Sequence, residues 1–224
     1  MVAAIWIAPE LIPFSFSHFF RFGSLIGILK TAWPLFVWGV GLSILKFLYR
    51  KWRKQNNLFI VLPGGPLVMI FQGFLENLWA GIMEELSFRW SIFYFEILLY
   101  QVLNYICLSL FNFGFFEWFF LNITGPIADF FTLGYMHSIL FGYGWVVGAA
   151  ILNSNALFRN GHIYQGFFGF VNSWFLGMFL FYVMFQHGLF AAMFVHFTYN
   201  FLIWLVLVVY IQLQDRSLLP LVRF

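Results

Sequence analysis

Between Arg159 and Asp215 the sequence contains no Asp, Glu, Lys or Arg. Soluble domains carry about one charged residue in four, so a run of this length without charge belongs in the hydrocarbon of a bilayer. The whole chain follows suit, with 63% hydrophobic and 8% charged residues among 224. Inside lipid the backbone must satisfy its own hydrogen bonds, and a helix does so within one segment. A crossing takes about 20 apolar residues, which gives room for about six to eight membrane helices. The composition predicts an all-α polytopic transmembrane bundle, a single membrane domain over residues 1–224.

The net charge of +3 is local in origin, because Lys46, Arg50, Lys51, Arg53 and Lys54 form a cluster without an acid among them. By the positive-inside rule the loop at 50–57 is cytoplasmic, and its basic residues suit anionic lipid head groups. Membrane lipid is therefore the expected partner of this charge, and nucleic acid is not. Cys107 is the one cysteine, so there is no disulfide framework and no thiolate cluster for a metal. The first residues lack a basic leader, and Pro9, Glu10 and Pro13 interrupt any early apolar run, so no secretory signal is expected. Residues 1–23 read as an interfacial segment, with Trp6, Phe14, Phe16, Phe19 and Phe20 at head-group depth.

A first span is expected at about residues 24–49, kinked at Pro34. Pro63-Gly64-Gly65-Pro66 marks a break or the start of the next helix. From Leu67 helix continues through Glu84 and Glu85 toward Tyr94, as one tilted helix or divided near Gly81. Further spans are expected at about 92–111, 127–152, 165–185 and 188–212. The last two meet at Gln186-His187-Gly188, with His187 exposed in the turn.

Charges at the bilayer centre cost about 2.5–3.5 kcal/mol each on insertion scales, which singles out Glu84, Glu85 and Arg89 in one apolar helix. Glu85 and Arg89 are four apart and lie one above the other in the favourable order, acid before base. Glu84 is turned by about 100° from Glu85, so it is the carboxylate left for another role. His196 and Asn200 project from one helical face at the same spacing, as do Phe158 and His162. A simpler reading makes all of these helix-bridging hydrogen bonders. Glu76, Glu96, Glu117 and Asp129 read as interfacial or water-path residues, and Asn153, Asn155 and Arg159 as groups able to bind a substrate backbone.

The three motifs E-E-x-x-x-R (Glu84, Glu85, Arg89), F-x-x-x-H (Phe158, His162) and H-x-x-x-N (His196, Asn200), in that order along a polytopic chain, resemble the CPBP family. This is the Abi, or CAAX protease and bacteriocin-processing, family of intramembrane glutamic endopeptidases. The resemblance covers about residues 67–204, with an insertion between about 95 and 150. It departs from the family in having Trp90 directly after the arginine, where Gly is usual. It implies an enclosed polar cavity in which Glu84 is the general base, His162 and His196 position water or donate a proton, and Asn200 hydrogen-bonds the oxyanion. Glu85, Arg89 and Phe158 support that set.

The implied substrate is a membrane-associated or lipidated peptide or protein, cut without a metal; no cofactor is expected. Two histidines and a carboxylate also make a zinc set, Glu84, His162 and His196, which spacing alone does not separate from the metal-free site. Two other functions remain open for the same residues. One is a non-catalytic scaffold or assembly subunit with protein partners. The other is a proton or ion transporter, which the absence of an inverted repeat disfavours.

Overall fold

A computed structural model of the chain describes residues 19–52 and 65–218. Every regular element among them is helical. Helix α1 spans Leu25–Trp52 and α2 spans Pro66–Glu84. A π-helical segment, Glu85–Ile92, joins α2 to α3, Phe93–Phe111. After Asn112, whose φ of 52° ends α3 in the left-handed region, come α4 (Phe115–Phe119), a second π turn (Phe120–Thr124), α5 (Gly125–Phe131) and α6 (His137–Phe141). Helix α7 is Trp145–Gly161, α8 is Gly166–His187 and α9 is Leu189–Leu218.

Four stretches are long and apolar enough to cross a membrane: Leu25–Tyr49, Pro66–Phe111, Ile163–His187 and Leu189–Leu213. Pro66 is the first residue of its helix, where the missing N–H would have had no partner anyway. No break occurs near Gly81. The chain stays helical for 46 residues, more than twice the length of one crossing, and the expected boundary near residue 92 is only the return from π to α geometry.

The expected span at 127–152 is not formed. Leu133 and Gly134 take positive φ after α5, and Gly144, at φ 89°, separates α6 from α7. The region is largely apolar, but its turns cut α5 and α6 too short to cross. The predicted loop at 50–57 begins as the last turn of α1, and its residues from 53 onward lie outside the described residues. Most of the interfacial segment at 1–23 also lies outside them.

The chain divides into two compact units. In the first, α7 is the central helix and packs against α3 and α8. Its buried face carries Gly148, Ala149, Ala150 and Ser154, small residues that let helices approach closely in a membrane protein. Residues 19–23 are stitched to the end of α8. The Leu189 N–H donates to the Phe19 carbonyl at 2.6 Å, and the Gly23 N–H to the His187 carbonyl at 2.9 Å.

Phe19 is therefore buried against Phe185, ring centroids 5.1 Å apart. The same stitching partly buries His187, which had been expected to be exposed. Gly188 makes the turn possible: its φ is 100°, and a Cβ there would run into the Arg21 carbonyl.

The second unit holds most of α1 and α2 and the C-terminal part of α9. Trp204 donates its indole N–H to the Met69 carbonyl at 2.9 Å, beside a small core of Met69, Val208 and Ile211. Phe74 meets Phe197 and Phe201 edge-on at 5.2 and 5.7 Å, and Phe47 stacks on Tyr210 at 4.4 Å. Each is a ring geometry that adds to plain burial.

Candidate functional site

Glu84 is the last residue of α2, and Glu85 is the first of the π segment. Glu85 Oε1 lies 3.2 Å from Arg89 Nη1, with both side chains wholly buried. Arg89 also stands over the Phe158 ring at 4.1 Å and the Phe181 ring at 5.4 Å. A charge withdrawn from water in this way needs both an opposite charge and polarisable faces around it. On α8, Gly177 leaves the room: a Cβ there would strike Asn155 Oδ1 and come within 3.0 Å of Arg89 Nη2.

The π geometry is held from outside. The Phe88 carbonyl accepts the Phe93 N–H, five residues on, and also the Ser154 hydroxyl from α7. Asn155 donates its amide to the Trp174 carbonyl at 3.0 Å and ties α7 to α8. Asn155 is fully buried, and this bond makes it a brace between the two helices. Trp90 is accommodated against Phe20 and Tyr94, with centroids 4.4 and 4.7 Å away.

His162 is the residue that ends α7. Its Nδ1 donates to the Phe158 carbonyl at 2.8 Å, and its ring lies 4.6 Å from the Phe158 ring. A carbonyl only accepts, so this bond fixes the tautomer and leaves the Nε2 of a neutral ring as an acceptor. Nε2 faces Glu84 Oε2 at 3.8 Å, with 18% of the His162 side chain and 30% of the Glu84 side chain exposed. That separation exceeds a direct hydrogen bond.

The first two motifs thus meet in the first unit, where Phe158 touches Arg89 on one side and His162 on the other. His196 and Asn200 stand one turn apart on α9 in the second unit, His196 buried and Asn200 partly so. Within the first unit Glu84 and His162 offer two ligand atoms, and no group of three His, Cys, Asp or Glu suited to a metal ion occurs among the described residues. Asp129 and His137 form a separate pair at 2.9 Å near the end of α5.

Ser154, Gly177 and Phe181 complete the surroundings of the Glu85–Arg89 pair without belonging to any motif. Only Ser154 left a trace in the sequence, inside the polar run Asn153-Ser154-Asn155 directly before Phe158. Compared with protein-family models, with curated proteins and with solved structures, the chain gives no match.

Proposed function

We propose that this protein is an intramembrane endopeptidase of the CPBP type, which hydrolyses a peptide bond in a membrane-associated or lipidated peptide. The observation that carries the proposal is the approach of Glu84 Oε2 to His162 Nε2 at 3.8 Å, partly exposed and directly beside a fully buried Glu85–Arg89 pair. A water brought to the exposed side of this pair donates one hydrogen to the Glu84 carboxylate and one to His162 Nε2, and turns its lone pair toward the substrate. Glu84 takes a proton as the water attacks the peptide carbonyl, and returns it to the leaving amine. His162 orients the water through Nε2. The parts of His196 as water-positioning or proton-donating group and of Asn200 as oxyanion donor rest on the motif resemblance.

The proposed architecture keeps the enclosed polar cavity and about six to eight crossings. Residues 115–131 and α7 would add the further crossings to the four long apolar stretches. A scaffold is the second reading, favoured by the large exposed aromatic surface that includes Phe130, Phe131, Phe167 and Phe168.

The test is mass spectrometry of membrane peptides, lipidated and leader-bearing, incubated with the purified chain in vesicles. New cleavage products are expected with the wild type, are lost with His162→Gln, and persist in a chelator. Products that vanish on chelation would move the chemistry to zinc, and no products from the wild type would leave the scaffold.

A further inference from the structure

Arg159 is the only charged residue between Asp129 and Asp215. It lies in the last turn of α7. None of the ion pairs among the described residues includes it. Instead the guanidinium is held flat: Nε and Nη2 both donate to Asn160 Oδ1, at 3.2 and 2.9 Å, and the group stands over the Phe170 ring at 4.4 Å. A cation fixed at this orientation, with its charge unbalanced, is prepared for an anion.

Arg159 also borders a groove. An open apolar depression of about 340 Å³ runs past it between Ile127 and Phe131 on one side and Phe170, Trp174 and Phe175 on the other. A second depression of about 370 Å³ shares Ile127 and Phe131 and so extends the first. Tyr164, Phe167 and Phe168, all strongly exposed, stand close in sequence at the start of the Ile163–His187 span. Aromatic residues in that position mark head-group depth. The arrangement sets a cation at the edge of an apolar channel.

We propose that this groove binds one anionic phospholipid, with its phosphate on Arg159 and an acyl chain against Phe131, Phe170, Trp174 and Phe175. The guanidinium selects the phosphate because it is planar and already oriented, and the groove selects a lipid over a detached phosphate because it buries a chain. The site does not depend on the peptidase reading, and its test has no enzymatic readout.

The experiment reconstitutes the full chain with equal phosphatidylglycerol and phosphatidylcholine, washes at high salt to strip lipid held only by the basic cluster at residues 46–54, and counts retained lipid by native mass spectrometry. The wild type is expected to keep phosphatidylglycerol over phosphatidylcholine about tenfold, as one charge-assisted contact allows. Arg159→Gln is expected to lose that preference. Val171→Trp, which fills the groove and leaves the cation, is expected to lower retention of both lipids.

Glycerol 3-phosphate at the same concentration should not displace the bound lipid. An unchanged preference in Arg159→Gln, undiminished retention in Val171→Trp, or displacement by glycerol 3-phosphate would each overturn the proposal.

Discussion

Glu85 is closed off from solvent against Arg89 at 3.2 Å, whereas Glu84, the residue before it, keeps 30% of its side chain exposed and faces His162 at 3.8 Å. Two neighbouring carboxylates have thus been given opposite environments by one step around a helix. The inner pair is enclosed by Phe158, Phe181 and Gly177, so its charge can be tolerated only while both partners are present. The outer pair keeps part of both side chains exposed. Stability should therefore reside in the inner pair and chemistry in the outer one.

The largest effect is expected from splitting the inner pair. Arg89→Met leaves Glu85 buried without its counter-ion and should cost about 3–5 kcal/mol of stability, measured by denaturant unfolding in lipid nanodiscs. Replacing both partners, as in Glu85→Leu with Arg89→Met, should recover most of that loss, because no buried charge then remains. A single Arg89→Met variant as stable as the wild type would break the distinction between the two pairs.

Smaller effects sharpen it. Gly177→Ala places a methyl where Asn155 Oδ1 sits and close to Arg89 Nη2, and should cost about 1–3 kcal/mol by overpacking in the same unfolding measurement. Ser154→Ala removes the hydroxyl that holds the Phe88 carbonyl, and should cost about 1 kcal/mol. It should also lower the cleavage rate, since the π segment it steadies begins directly after Glu84. Glu84→Gln is expected to change stability by no more than about 0.5 kcal/mol.

The membrane character and the helical class were legible from the long uncharged runs, and the unequal surroundings of Glu84 and Glu85 from their spacing to Arg89. The π segment was not, because Glu85 and Arg89 stand four residues apart whether the turn is α or π. What distinguishes the two geometries is a hydroxyl from Ser154, remote in sequence. The division of residues 127–152 escaped for a different reason: the stretch reads as largely apolar, and only Leu133, Gly134 and Gly144 within it take the positive φ that separates its short helices. The burial of Phe19 was not legible either, because it depends on a backbone bond to its carbonyl from Leu189, remote in sequence.

The most direct test of the division of labour is the cleavage rate of Glu84→Gln in vesicles, measured at a temperature where its unfolding curve coincides with that of the wild type. Proton transfer to a positioned base contributes about 10²–10⁴-fold, so the rate should fall at least about a hundredfold while the fold is intact. A folded Glu84→Gln that cleaves at close to the wild-type rate would contradict the account.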